Sequence, residues 1–170
     1  KEIEKILKEN LNLKHVLWLK NGLYLDECKG HADQVVAFKN KNEILLNWTD
    51  DITNKNWEVC RDAYKKIMQF SKTNNYNFQI HKICGHKPLK RKNKEVIKGT
   101  NRNKNNLVAI SYINFLNLEN VIILPKYKIK TDFKVYKQFK QIFKGCKIKM
   151  FNCREINLGG GGIHCVTKTY

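Results

Sequence analysis

Several common functional motifs are missing from this sequence. Its six cysteines include no pair in C-x-x-C spacing, which removes the usual signal for a zinc site or a dithiol redox centre. No run of about 18 apolar residues is present, so the sequence offers no candidate transmembrane helix. The four glycines at residues 159–162 are not followed by Gly-Lys-Ser or Gly-Lys-Thr, which argues against a phosphate-binding loop. Metal, membrane and nucleotide-hydrolysing proteins are therefore not indicated.

Acidic residues are also few. The 15 Asp and Glu residues stand against 33 Lys and Arg, which gives a formal net charge of +18. Such a charge attracts polyanions, and the segment at residues 87–104 (KPLKRKNKEVIKGTNRNK) is strongly basic. That segment lacks the interleaved aromatic residues on which nucleic-acid bases stack. We therefore favour a lysine-coated surface and a solvated loop over a nucleic-acid-binding arm.

The apolar content of 42% is enough for the core of one ordinary domain in a chain of 170 residues. A core of that size does not depend on disulfides, so we expect reduced thiols and a cytoplasmic protein. The N-terminal segment has the pattern of a charged helix rather than that of a signal peptide. The sequence does not begin with Met, which favours a chain that starts partway through a longer protein.

Hydrophobic periodicity predicts helices and strands in a repeating order. Helical spacing of apolar residues is found at residues 1–11, 57–70 and 132–144. Strands are predicted at residues 15–20, 34–38, 43–48, 76–83, 108–116, 121–124 and 147–151. The order strand–strand–helix–strand thus occurs twice, roughly 75 residues apart, which is typical of small α/β modules assembled as a propeller.

Two short segments carry the residue types of a cysteine hydrolase. The glycines at residues 159–162 let the backbone approach another group closely, and they lead into His164 and Cys165. Cysteine is the side chain that is already nucleophilic near neutral pH. Far upstream, His31 and Asp33 are two residues apart, so in an extended segment both face the same side. Adjacent His164 and Cys165 would face opposite sides, which makes His31 the better acid–base partner of Cys165.

Each of these residues also has an ordinary structural interpretation. A single cysteine is usually a small core residue, and a single histidine is usually a hydrogen-bonded polar one. The glycine run favours the functional interpretation, because four glycines are entropically unfavourable unless the backbone must come close to something. We therefore expect the backbone of Gly160 and Gly161 to line a substrate-binding pocket.

Nearly the whole chain resembles the C-terminal half of the agmatine deiminases, which belong with bacterial-type peptidyl-arginine deiminases in the pentein, or guanidine-modifying, superfamily. Three segments carry the resemblance, with matching order and spacing: HVLWLKNGLYLDECKGHAD, SYINFLNLENVIILP and REINLGGGGIHCVTK. The resemblance implies that Cys165 is the nucleophile and His31 the general acid/base. It also implies that Asp33 binds the guanidinium group of the substrate.

The implied fold is about half of a pentein-type α/β propeller, with modules at approximately residues 1–33, 34–104 and 105–170. The implied reaction is deimination, most simply agmatine plus water giving N-carbamoylputrescine and ammonia, without a metal or an organic cofactor. Peptidyl-arginine or free arginine is the alternative substrate. A non-catalytic, basic, nucleic-acid-binding descendant of the enzyme is the alternative of a different class.

The sequence departs from the family pattern in three ways. Lys29 stands where relatives carry an acid just before the Gly-His pair. The family's other active-site acids lie in an N-terminal half, one of them in an Arg-Asp-x-Gly segment, whereas Arg61 and Asp62 here are followed by alanine and tyrosine. The third departure is length, since only about half of the family's modules are matched. We therefore expect the chain to need a missing N-terminal half or its equivalent, or to self-associate as a homo-oligomer, in order to act on a small cationic guanidine.

Overall fold

The computed structural model describes residues 2–26, 30–95 and 106–168. Over these residues short strands alternate with helices, in an order that follows the hydrophobic periodicity. The helices are α1 (Glu2–Leu11), α2 (Trp57–Thr73), α3 (Lys130–Ile142) and α4 (Arg154–Leu158). The strands are β1 (Val36–Asn40), β2 (Glu43–Trp48), β3 (Gln79–Cys84), β4 (Leu89–Lys90), β5 (Leu107–Val108), β6 (Leu116–Leu118), β7 (Val121–Lys126) and β8 (Lys147–Asn152). Short 3-10 helices lie at Ala32–Gln34, Asn93–Glu95 and His164–Val166.

The first α/β unit consists of β1, β2, α2 and β3. β1 and β2 form an antiparallel hairpin, and the Asn40 side chain closes its turn by accepting hydrogen bonds from the N–H groups of Asn42 and Glu43, each at 2.9 Å. α2 then crosses over, so that β3 pairs in parallel with β2. The helix contributes Val59, Ala63 and Ile67 to a buried cluster with the strand residues. This unit is the first predicted strand–strand–helix–strand repeat.

The second unit repeats the arrangement with β6, β7, α3 and β8. β6 pairs antiparallel with β7, and β8 pairs in parallel with β7 after the α3 crossover. At the start of α3, the Asp132 carboxylate accepts a hydrogen bond from the N–H of Ile129 at 3.1 Å. Beyond the end of α3, Gly145 has a φ of +87°, a left-handed conformation that turns the chain back into β8. The predicted order of elements therefore does occur twice.

The two units pack against each other through α3. Gln138 donates a hydrogen bond from Nε2 to the carbonyl oxygen of Lys82 at 2.9 Å and accepts one at Oε1 from the N–H of Cys84 at 3.0 Å. Leu45 of β2 lies in the same buried cluster as Phe139 of α3, and both side chains are fully buried. The units thus share one apolar core.

Two of the strand predictions are wrong. Residues 108–116 form no continuous strand: only their two ends take part in β5 and β6, and the buried segment between them is irregular. Its polar side chains bond to two helices instead: the Ser111 hydroxyl donates to the carbonyl oxygen of Gln34 in the first 3-10 helix at 2.7 Å, and the Tyr112 hydroxyl donates to Asp132 of α3 at 2.7 Å. Residues 15–20 also form no strand, and no strand of the described residues pairs with them.

The predicted N-terminal helix is present as α1, but its apolar face is not buried by the described residues. Ile3, Ile6 and Leu11 are each more than half exposed. Charged side chains on the same helix form (i, i+4) pairs, among them Lys8 with Glu4 at 2.7 Å. In the part of the chain that is described, neither α1 nor any other helix has the length and apolarity to cross a bilayer.

Candidate active site

Two 3-10 turns from opposite ends of the chain meet at the predicted site. Ala32–Gln34 carries Asp33, and His164–Val166 carries His164 and Cys165. One carboxylate oxygen of Asp33, Oδ2, lies 3.0 Å from His164 Nδ1 and 3.5 Å from Cys165 Sγ. The structure therefore brings a carboxylate and a thiol together although 132 residues separate them in the sequence.

The turn that carries Asp33 is held in place by hydrogen bonds that other segments donate to its backbone carbonyl groups. The carbonyl oxygen of Gln34 accepts hydrogen bonds from Ser111 Oγ at 2.7 Å and from Asn47 Nδ2 at 3.3 Å. The carbonyl of Val35 accepts the N–H of Asn47 at 2.9 Å, which continues the pairing toward β2. Asp33 is thus fixed between the first unit and the irregular segment before β6.

His31 is held by a different carboxylate. Its N–H donates to Asp26 Oδ2 at 2.7 Å, and its ring nitrogen Nδ1 contacts Asp26 Oδ1. The Asp26 side chain is almost fully buried, whereas the His31 side chain is 37% exposed. A buried carboxylate that bonds both the backbone and the ring of a histidine fixes the orientation of the imidazole. Lys29, the departure from the family pattern, lies outside the described residues.

The glycine run follows α4 and ends at the cysteine turn. Gly160 has a φ of +91°, a left-handed conformation that suits glycine. A Cβ atom on Gly161 would lie 3.4 Å from the Cys165 Cβ, and one on Gly162 would lie 2.2 Å from Asn114 Oδ1. The glycines therefore allow the backbone to approach protein side chains of the site. Substrate binding by Gly160 and Gly161 stays a prediction.

Asn114 lies at the centre of this arrangement. Its Oδ1 accepts the N–H of His164 at 2.9 Å. Its Nδ2 is 3.4 Å from Cys165 Sγ and 3.5 Å from the carbonyl oxygen of Asp33. One amide side chain therefore contacts both turns, and it also contacts the sulfur atom.

The thiols of the chain differ sharply in their surroundings. Cys165 is exposed, whereas Cys60 and Cys153 are buried, and burial raises the pKa of each of these two thiols to about 11. The Asp33 side chain is 30% exposed and that of His164 is 59% exposed, so the site is open to solvent. The Asp33 carboxylate and the Cys165 thiol are therefore both accessible to a small cation.

The predicted orientation of His164 and Cys165 is wrong. An extended backbone would place the two side chains on opposite sides, but the segment is a 3-10 helix and both side chains reach Asp33 Oδ2. Three further residues of the site, Asp26, Asn114 and His164, had no assigned role. Asp26 and Asn114 both lie inside the segments that carry the family resemblance, which is the signal that could have identified them.

The arrangement of an exposed cysteine, a carboxylate and a glycine-run turn on β–β–α–β units defines the class of the protein as a pentein-type α/β fold. A sequence model described as "Porphyromonas-type peptidyl-arginine deiminase" matches residues 1–170. The chain therefore belongs to this family. The family and the fold predicted from the sequence are both confirmed.

Similarity to individual proteins supports the same family assignment. The agmatine deiminase of Pseudomonas fluorescens is 34% identical over 173 residues, which cover 98% of this chain and 47% of the relative. The solved structure of the Enterococcus faecalis agmatine deiminase superposes with a TM-score of 0.87 at 30% identity, over 98% of this chain and 47% of that one. The C. jejuni agmatine deiminase, at 23% identity and a TM-score of 0.77 over 96% of this chain and 44% of that one, shares the fold. This chain spans about half the length of the relatives it matches.

Proposed function

We propose that this chain carries the nucleophile-bearing half of a cysteine-dependent guanidine deiminase. The observation that supports the proposal best is the contact of Asp33 Oδ2 with Cys165 Sγ at 3.5 Å, in a chain whose relatives are named agmatine deiminases. A guanidinium group stays charged at physiological pH. It therefore needs a carboxylate to hold it and a sulfur nucleophile close to that carboxylate.

In the proposed first half-reaction, Asp33 binds the N–H groups of the guanidinium and the Cys165 thiolate adds to the central carbon. A C–S bond forms, and the carbon becomes tetrahedral. The C–N bond to one terminal nitrogen then breaks, and that nitrogen takes a proton from His31 and leaves as ammonia. The enzyme is left with a covalent thiouronium on Cys165.

In the second half-reaction, water replaces ammonia at the same carbon. His31 takes one proton from the water as its oxygen bonds to the carbon. The C–S bond then breaks, the remaining hydroxyl proton passes to the departing sulfur, and Cys165 is released as the thiol while the carbon–oxygen double bond of the product forms. The product is a ureido compound, which is N-carbamoylputrescine if the substrate is agmatine. Because Asp26 holds Nδ1 of His31, we assign both proton transfers to Nε2. No step uses a metal or an organic cofactor.

The names of the relatives favour agmatine over the alternative substrates. The family itself is described by peptidyl-arginine deimination, so a peptide-bound arginine is the second candidate. Neither the described residues of the site nor the relatives named above favour nucleic-acid binding. Since the chain spans about half the length of its relatives, carboxylates that complete the guanidinium site are expected to come from outside residues 1–170.

The test is a ureido-product assay with agmatine, free arginine and an arginyl peptide, run on residues 1–170 with and without the residues encoded upstream of Lys1. Loss of one preorganised electrostatic group typically lowers the rate on the order of 100- to 1000-fold, so we expect little turnover from residues 1–170 alone. We expect agmatine turnover from the longer protein. Cys165→Ala is expected to abolish that turnover, and Cys84→Ala, which removes a half-buried thiol outside the site, is expected to leave it intact.

Two results would contradict this proposal. Turnover by the longer protein that survives Cys165→Ala would exclude Cys165 as the nucleophile. Robust turnover by residues 1–170 alone, lost in Cys165→Ala, would show that this half already contains a complete site.

A further inference from the structure

We infer that Asn114 is a positioning residue that aligns Cys165 with Asp33 and supplies a neutral hydrogen-bond donor to the reacting sulfur. The inference rests on the proposed function, because it assigns a role within the same site. It goes further in naming a side chain that makes no bond to the substrate in the proposed reaction. Asn114 would act through Cys165 and Asp33.

The backbone of the cysteine turn fixes the orientation of the Asn114 amide. The backbone nitrogen of His164 lies 2.9 Å from one atom of the Asn114 side-chain amide. That atom must be the oxygen, because the amide nitrogen cannot accept a hydrogen bond. The NH₂ group must then face the other way, toward Cys165 Sγ at 3.4 Å and the carbonyl oxygen of Asp33 at 3.5 Å. These two acceptors use the two hydrogens of the NH₂ group. Asn114 is 3% exposed, so its partners are protein atoms.

This geometry joins the two turns of the site. Oδ1 holds the turn that carries Cys165, and Nδ2 holds the turn that carries Asp33. The turns are otherwise connected at this point through side-chain contacts to Asp33 Oδ2, the atom that is proposed to bind substrate. Asn114 can therefore keep Cys165 Sγ and the Asp33 carboxylate in the same relative position when a guanidinium group binds to Asp33 Oδ2.

The same amide also sets the electrostatic surroundings of the sulfur. A negative sulfur 3.5 Å from the Asp33 carboxylate is opposed by a like charge. A donated N–H favours the charged form of an acceptor, and Asn114 Nδ2 is a donor within reach of this sulfur. Other titratable groups of the site are His31, the proposed acid/base, His164, which bonds Asp33, and Tyr127, whose hydroxyl donates to the carbonyl oxygen of Ser111.

Gly162 provides independent support for a dedicated site for this side chain. A Cβ on Gly162 would lie 2.2 Å from Asn114 Oδ1 and 2.7 Å from Asn114 Cγ, much closer than real Cβ contacts allow. Residue 162 must therefore lack a side chain if Asn114 is to keep its position. By contrast, the Cβ of Asn114 would be 3.2 Å away, so a smaller side chain at position 114 would relieve most of the overlap.

The experiment measures how fast iodoacetamide alkylates Cys165 between pH 6 and 10, by peptide mapping of residues 1–170, so it requires no turnover. Asn114→Asp replaces the donor with a carboxylate of the same shape. We expect the alkylation rate of Cys165 at pH 7 to fall about tenfold and its pH profile to move up by about one unit. Asn157→Asp is the matched control, because the Asn157 amide also donates to a backbone carbonyl, that of Ala109 at 3.2 Å, and makes no contact with the sulfur. We expect its profile for Cys165 to match that of the unsubstituted chain.

A double-mutant cycle tests the positioning role separately from the charge. Gly162→Ala should displace the Asn114 side chain and slow Cys165 alkylation about as much as Asn114→Ala does. The double variant should then be no slower than Asn114→Ala alone, because the side chain that clashes is gone. Additive losses would show that Gly162 and Asn114 act independently, and would overturn the positioning role. Asn114→Ser takes the place of Asn114→Asp if thermal unfolding shows that the latter does not fold.

The alkylation rates test the roles of Cys165 and Asn114 separately. If Cys165 in the unsubstituted chain reacts no faster than the buried cysteines, the proposed nucleophile itself is wrong. If Cys165 is the fast thiol but its pH profile is the same with Asn114→Asp and Asn157→Asp, the role of Asn114 is wrong and the nucleophile stands.

Discussion

The ion pair between Glu95 and Arg154 gives a sharp prediction about stability. Arg154 is the first residue of α4, which leads into the glycine run, and it bonds Glu95 at both carboxylate oxygens, at 2.6 and 2.7 Å. Its Nη2 also donates to the carbonyl of Lys90 at 2.6 Å. The two side chains are only 6% and 14% exposed. This contact fastens the segment before residue 96 to the helix that precedes the candidate active site.

The magnitude follows from the shift of the Glu95 carboxyl. Hydrogen bonds from Arg154 lower its pKa from 4.5 to about 2, which corresponds to roughly 3 kcal/mol of stability at neutral pH. That contribution is complete above the unfolded value of 4.5 and is lost as the pH falls toward 2. At pH 3, roughly half or more of this contribution to the free energy of unfolding is lost. Glu95→Gln removes the charge and leaves Arg154 buried without its counter-ion.

We expect Glu95→Gln to lower the melting temperature at pH 7 by roughly 6–12 °C, from about 2–4 °C for each kcal/mol in a chain of this size. The matched control is Glu155→Gln, which makes the same charge change at an exposed position on α4. Thermal melts of both variants and the parent at pH 7 and pH 3 provide the measurement. If the two variants melt together at pH 7, or if the deficit of Glu95→Gln is the same at both pH values, the ion pair does not make this contribution.

Two further predictions concern single residues. Burial raises the pKa of Cys60 and Cys153 to about 11, so at pH 7 each is roughly 0.01% thiolate, against a few per cent for an ordinary exposed cysteine. Mass-spectrometric peptide mapping after brief iodoacetamide treatment should therefore show exposed Cys165 labelled at least about 100-fold faster than these two; comparable labelling would contradict the burial pattern. Gly145→Ala should destabilise the chain by about 1 kcal/mol in chemical denaturation, because φ there is +87° while no described residue other than its chain neighbours has an atom within 4 Å of the added methyl. Lys144→Ala, at the exposed neighbouring position, is the control, and an equal effect of both would rule out backbone strain as the cause.

The sequence by itself was enough to predict the repeated α/β units. β1, β2, α2 and β3 follow from apolar residues at strand and helix spacing with turn residues between them, and β6, β7, α3 and β8 follow in the same way. These are local properties, because side-chain periodicity and backbone preference act over a few residues. The family could also be identified from the sequence, because each of the three motif segments is short and contiguous.

Segments whose conformation depends on distant partners were not predictable in this way. Residues 108–116 are as apolar as a strand, yet they are irregular because Ser111 and Tyr112 bond to Gln34 and Asp132. Those bonds join positions as far as 77 residues apart. No local pattern encodes them.

The same division applies to the candidate site. The residue types of a cysteine hydrolase and the positions of His31, Asp33 and Cys165 came from the sequence, and the catalytic roles given to His31 and Cys165 remain predictions. Only the tertiary structure showed that His164 shares the Asp33 oxygen with Cys165, and that Asn114 joins the two turns. The physical reason is that these contacts depend on how two short 3-10 turns, 131 residues apart, are packed against each other, to within the length of one hydrogen bond.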